Sequence, residues 1–175
     1  RLIHENTTEL MDTANMYIAL YDEVTDMVRF PLAFRDKERI NIETRKAGQG
    51  RTEEIIRTKR AIFHPTKAEN IAWYSQPGHE DYVKGEMWLS WIGVPMTIRD
   101  KVLGVIATYH MTKENVYSQD DLEILQAMAN SAAIALENAR LYQKTLALQD
   151  EVVATRQLST LNTAFGAIQH RISNT

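Results

Sequence analysis

An α+β domain with an antiparallel sheet, continued by one long helix, is the fold the sequence predicts. Three observations carry it. Met16–Tyr21 and Met27–Phe34 are β-branched and aromatic runs with a short polar break between them. Ser90–Ile98 and Val102–His110 form a second such pair around Arg99-Asp100-Lys101. From Ser118 onward the chain has no Pro and one Gly, with apolar residues at helical spacing. Runs of this kind around short polar breaks read as hairpins, and 3,4 spacing reads as helix.

Taken in order, Leu2, Ile3, Leu10, Met11 and Ala14 are spaced for one helix face, so a helix over 2–14 is expected. Asn15 leads into the first strand pair. Arg35–Arg60 is charge-dense, with nine Lys or Arg against five Asp or Glu. Gly48-Gln49-Gly50 interrupts it, and Thr52–Lys59 predicts a short helix with acids early and bases late, in agreement with the helix dipole. Its interleaved carboxylates favour a solvated helix over an anion site at the Gly50–Thr52 helix start. Ala61–Pro65 predicts a short strand stopped by proline. Residues 66–89 are expected to be irregular with short helical pieces, aromatic-rich through Trp73, Tyr74, Tyr82 and Trp88, with a turn at Gln76-Pro77-Gly78.

In the second hairpin, Ile92, Val94, Met96 and Ile98 make one uniformly apolar face for burial against helices. Trp91, Gly93, Pro95 and Thr97 point the other way. Ser118-Gln119-Asp120-Asp121 is a strong helix start, with Ser118 as N-cap. Leu122, Leu125, Ala129, Ala132, Leu136 and Ala139 keep a 3,4 spacing, resumed by Leu158, Leu161, Phe165, Ile168 and Ile172. A helix of that length with a seam at both ends is expected to be a coiled coil with a second copy of the chain.

At 175 residues one core is expected, and 44% hydrophobic with 25% charged residues supports it. Zero cysteines remove disulfides, thiolate metal sites, catalytic thiols and thioether-attached chromophores. A net charge of −3 gives no pull toward nucleic acid. No apolar run approaches the roughly 18–20 residues of a membrane span, and the first residues lack a signal peptide's apolar stretch, so a cytoplasmic chain is expected. It opens without Met and stops within a helical pattern, so a piece of a longer protein is expected.

Gly93-Val94-Pro95-Met96, Val102-Leu103-Gly104-Val105-Ile106 and Ser118–Leu125 running on through Ala133–Tyr142, in this order after a strand pair, a short helix and an aromatic insert, resemble a GAF domain over about Leu2–Tyr142. The resemblance implies a central antiparallel sheet of five to six strands. It places N- and C-terminal helices on one face and a small-molecule pocket on the other. It implies a sensor domain at 1–142, a signalling helix at 143–175, a homodimer through the terminal helices and an effector domain downstream. Covalent bilin attachment and the family's methionine-sulfoxide reductase chemistry both need cysteine and are excluded. No Asn-Lys-x-Phe signature of the cyclic-nucleotide binders is present.

Phe165–Asn174 resembles the phosphoacceptor box of histidine kinases that read His-Arg-x-x-Asn, which makes His170 the candidate phosphoacceptor and a kinase the implied output. Ile168 and Ile172 flank it at i−2 and i+2. The acid this subclass carries before the His is absent here.

Trp73, Tyr74, Tyr82, Trp88 and Trp91 are candidate walls of a pocket for a planar ligand, against the plainer reading that they fill a core. By analogy with phytochrome-type sensors, Thr108 and His110 are candidate pocket residues, against ordinary strand-end polar residues. His64, His79 and His110 have no metal-ligand spacing, so haem or metal is not expected. No nucleophile–base pair or phosphate loop appears, so a regulatory module is expected rather than an enzyme. The remaining alternative is a ligand-free structural dimerisation module.

Overall fold

The computed structural model describes residues 11–79 and 87–173, with side chains described to residue 156 apart from 154. In chain order the elements are β1 (Met16–Asp22), β2 (Met27–Arg35), β3 (Glu38–Arg39), β4 (Ile42–Lys46), α1 (Arg51–Thr58), β5 (Ile62–His64), α2 (Lys67–Tyr74), β6 (Ser90–Ile98), β7 (Lys101–His110) and α3 (Gln119–Ser173). The fold is α+β, with one antiparallel sheet ordered β3-β2-β1-β7-β6-β5 and β4 also paired to β2. It has seven strands where five to six were expected. The two strands without a counterpart in the sequence reading, β3 and β4, follow one another along the same edge of β2. Their side chains are exposed or half-buried and mostly charged, which leaves no apolar alternation to read and suits a sheet edge that must not pair with other chains.

Period two divides each central strand between two cores. On one side Met16, Ile18, Ile92, Val94, Met96 and Ile106 pack with Leu125, Ala129, Ala132 and Ala133 of α3. On the other, Tyr17, Ala19, Trp91, Val105, Ala107 and Tyr109 pack with Ile55 of α1. The neighbours Trp91 and Ile92 thus belong to different cores, as the pleat requires. Gly104 lets β7 approach β1, since a Cβ there would stand 2.0 Å from the Ala19 carbonyl oxygen.

Met11–Ala14 are irregular rather than helical, and residues 2–10 of the expected helix lie outside the described residues. The physical reason is where the carbonyls go. Ala14 accepts from the Lys37 amide at 2.8 Å, and Asn15 accepts from the Tyr109 amide at 3.0 Å and the Thr108 hydroxyl at 2.8 Å. Those carbonyls are committed to the sheet. Met11 still packs into the first core.

α3 starts as expected. Ser118 Oγ accepts from the Asp121 amide at 3.2 Å while Asp121 Oδ2 accepts from the Ser118 amide at 2.8 Å. Its small inward residues, Ala129, Ala132 and Ala133, allow close approach to the sheet. The compact unit ends at Ile134, and residues 135–175 form a second unit. In that unit Leu136, Leu141, Tyr142, Leu146, Leu148, Val152 and Val153 are exposed. No helix among the described residues is long and apolar enough to cross a membrane.

Candidate functional site

The second core contains a buried charge. Arg51 is the first residue of α1, and Ile55 follows one turn later on the same inward face, so both are drawn under the sheet. Arg51 is 3% exposed. The helix expected to be solvated instead buries Arg51, Thr52, Glu53 and Ile55. Its carboxylates pair locally, with Glu53 bonded to Arg45 and Glu54 Oε2 accepting from Trp73 Nε1 at 2.5 Å.

α2 supplies the opposing wall. Thr66 and Glu69 cap it reciprocally, with the Glu69 amide donating to Thr66 Oγ1 at 3.3 Å and the Thr66 amide donating to Glu69 Oε2 at 3.0 Å. The helix so fixed carries Asn70, Trp73 and Tyr74 at i, i+3 and i+4, which is one face, and all three are buried. Trp91 comes from β6 and half-buried Trp88 from just before it.

Four rings surround the guanidinium. Arg51 Cζ lies 4.4 Å from the Trp73 ring centre, 4.7 Å from Tyr74, and 5.3 Å from each of Trp88 and Trp91. These are cation–π distances. Since the chain holds three tryptophans, all of them face one side chain. Arg51 Nη2 donates to Asn70 Oδ1 at 2.9 Å and Nη1 to the Tyr74 hydroxyl at 3.3 Å.

Glu54 supports the charge electrostatically without bonding to it. Among the described residues no carboxylate forms an ion pair with Arg51, and its Nε is buried without a hydrogen-bond partner. His64 Nδ1 and Trp91 Nε1 are buried without partners in the same core. His64 stands opposite Trp91 in the β5–β6 ladder, and its carbonyl accepts from Asn70 Nδ2 at 3.1 Å. Burial holds the Arg51 pKa below its ordinary value. Burial first, and the Arg51 charge second, hold His64 below the usual imidazole range. Nearby, the Tyr17 and Thr52 hydroxyls are 2.9 Å apart, and burial pushes the Tyr17 phenol up.

Of the residues the sequence singled out, Trp73, Tyr74, Trp88 and Trp91 come together. Thr108 and His110 do not join them. Thr108 pairs with Ile92 across the β6–β7 ladder and shares the α3 side of the sheet, where its hydroxyl meets Asp12 O at 3.1 Å, Asn15 O at 2.8 Å and the Tyr117 hydroxyl at 2.9 Å. His110 Nδ1 accepts the amides of Thr112 at 3.2 Å and Lys113 at 3.0 Å, closing the turn after β7. His79 stacks on Trp73 at 3.9 Å between ring centres. Tyr82 and the His170 side chain lie outside the described residues. Arg51 and Asn70 escaped sequence reasoning, although the Thr66-x-x-Glu69 box and the Arg51/Ile55 spacing were both readable signals.

A sequence model of the GAF domain family matches residues 1–137. The chain belongs to the GAF domain family. Solved structures agree with this GAF domain in fold. A methyl-accepting chemotaxis protein, residues 122 to 287, is 14% identical with a TM-score of 0.66, covering 81% of this chain and 88% of that one. The GAF-B domain of DevS from Mycobacterium smegmatis is 13% identical with a TM-score of 0.62, covering 83% and 95%. The GAF domain of an Acinetobacter phosphoenolpyruvate-protein phosphotransferase is 17% identical with a TM-score of 0.58, covering 77% and 79%. The arginine-centred aromatic cluster of this GAF domain occupies the sheet face opposite α3.

Proposed function

We propose that this GAF domain is a regulatory sensory module that binds a small molecule noncovalently on the Arg51 side of its sheet. The observation that carries the reading is the buried Arg51 ringed by Trp73, Tyr74, Trp88 and Trp91, a group with more polarity than a filler core needs. Thr108 and His110, on the opposite face, have the structural task of anchoring residues 12–15 and the turn after β7. The domain works in the cytoplasm as a homodimer. Residues 1–142 sense, and the helix over 143–175 joins two copies and carries the state to an output domain. The apolar residues exposed from Leu136 to Val153 support that pairing. The output is a histidine kinase, with His170 as phosphoacceptor.

For ligand to act, it must favour one helix arrangement over the other. The chain has no cysteine, so cysteines introduced at Leu141, Leu148 and Val152 are unique crosslinking sites. Disulfide yields that change when a stabilising ligand is added support the sensor; identical yields sink it. In the full-length protein, His170→Gln is expected to abolish ATP-dependent labelling, and unchanged labelling removes His170 from the scheme.

A second reading, a ligand-free dimerisation module, is favoured by the way Arg51 itself occupies the space between the rings. It wins if no small molecule raises the melting temperature.

A further inference from the structure

We infer that the ligand of this face is a small organic carboxylate with a flat apolar body, and that Arg51 is the group that recognises its charge. The inference rests on the reading of the face as a ligand site and adds the ligand's chemical class.

A buried guanidinium is costly unless its charge and its N–H groups are met. Asn70 and Tyr74 take the two terminal nitrogens and the rings supply cation–π contact, while Nε–H remains without an acceptor. Trp91 Nε1–H is a second orphan donor, and His64 Nδ1 becomes a third in the tautomer that places its proton there. Arg51 is joined to His64 through Asn70, which accepts from Arg51 and donates to the His64 carbonyl. What this group lacks is an acceptor for the Arg51 Nε–H and the Trp91 indole N–H.

One guanidinium suits one negative charge. Glu53 is buried nearby and bonded to Arg45, its Oε2 lacks a partner, and Glu54 also acts on Arg51, so a dianionic phosphate would meet two carboxylates with no second free cation among the described residues to offset it. A monocarboxylate brings half that negative charge. It can accept from Nε of an Arg whose plane is already fixed. The rings of Tyr74, Trp88 and Trp91 around the guanidinium then offer apolar surface for the remainder of the molecule.

The three tryptophans report on the site directly. Tryptophan emission of the full chain is followed during titration with acetate, benzoate and 3-phenylpropionate, each against its amide, and with inorganic phosphate. At least one acid is expected to give a saturable change and to bind at least about tenfold more tightly than its amide, the worth of one charge-assisted hydrogen bond. Arg51→Met is expected to weaken that acid about tenfold or more, and Arg51→Lys by a smaller factor. Should Arg51→Met not fold, as judged by circular dichroism, Asn70→Asp serves instead. It keeps the guanidinium, supplies it with an internal carboxylate in place of the amide that donates to the His64 and Thr66 carbonyls, and is expected to suppress acid binding.

Amides or phosphate binding as tightly as the acids, or Arg51→Met and Asn70→Asp binding them like the unaltered chain, would overturn the carboxylate assignment and leave the sensor reading standing. No response to any probe would overturn both.

Discussion

Arg51 Nη2 donates to Asn70 Oδ1 at 2.9 Å, while Asn70 Nδ2 donates to the carbonyls of His64 at 3.1 Å and Thr66 at 2.7 Å. One fully buried amide therefore links the first turn of α1, the end of β5 and the start of α2. Asn70→Ala strips an acceptor from a buried cation and a donor from two carbonyls. It is expected to cost about 2–3 kcal/mol, since each unmet buried group costs on the order of 1–3 kcal/mol. Urea denaturation checks it, and a loss below about 0.5 kcal/mol would mean that water replaces the amide at little cost.

Two glycines on the same hairpin separate stability from the state of the site. A methyl at Gly104 would press on backbone, 2.0 Å from Ala19 O, and on Met96 Cε at 2.6 Å. At Gly93 it would meet the Trp91 ring at 2.3 Å and Ile55 Cδ1 at 3.1 Å. Gly104→Ala is expected to cost about 2–3 kcal/mol, within the usual range for overpacking, with the native tryptophan emission maximum unchanged. Gly93→Ala is expected to move that maximum. Equal spectra for the two variants would contradict the packing described.

Thr108→Val keeps the shape and removes the hydroxyl that meets Asp12, Asn15 and Tyr117. A loss of about 1–2 kcal/mol is expected from the hydrogen bonds and the orphaned Tyr117 hydroxyl. Because these contacts lie on the α3 side of the sheet, affinity for any acid bound near Arg51 is expected to stay the same. A fall of tenfold would place Thr108 in the site after all.

The His64 imidazole sits below its ordinary pKa of 6.5 through burial and then the Arg51 charge. The unfolded chain therefore binds the proton more readily than the folded one as pH falls through this range. The stability owed to neutral His64 is fully present above about 6.5 and is lost as pH drops through the lower folded value. His64→Gln is expected to flatten the dependence of stability on pH between about 7.5 and 5.5, measured by urea denaturation at fixed ionic strength. An unchanged slope would show that the ring is not buried neutral.

Exposed Leu141 and Leu148 are one heptad apart on α3. If they face a second copy, replacing both with Glu is expected to convert a dimer to a monomer by sedimentation while the near-ultraviolet circular dichroism of the sheet domain holds. A chain that is monomeric before substitution would remove the coiled coil from the proposal.

The central strands and the N-terminus of α3 were legible because their burial is written locally. In β6 each alternate residue goes to a different core, and Ser118 announces its helix four residues before Leu122. β3 and β4 were not legible, because Glu38, Arg39, Arg45 and Lys46 pair with β2 along a sheet edge and carry no apolar period. The side of the sheet that Thr108 takes was not legible because it depends on ladder register, and an irregularity between Met96 and Thr97 intervenes between the turn and the Ile92–Thr108 pair. Arg51 was invisible for a different reason. Counting charges treats an arginine in a basic run as solvated, and its burial depends on rings brought by α2, by β6 and by the residue just before β6.

Trp91 and Ile92 share a peptide bond and have no exposed surface, yet each belongs to a different core. Only one thickness of backbone separates the arginine cluster from the cluster that seats Leu125 and Ala129. Close-packed interiors transmit strain rather than absorb it. β6 is therefore a party wall: a displaced indole at 91 is felt by its neighbour at 92, so the two rooms of this domain cannot be rearranged independently.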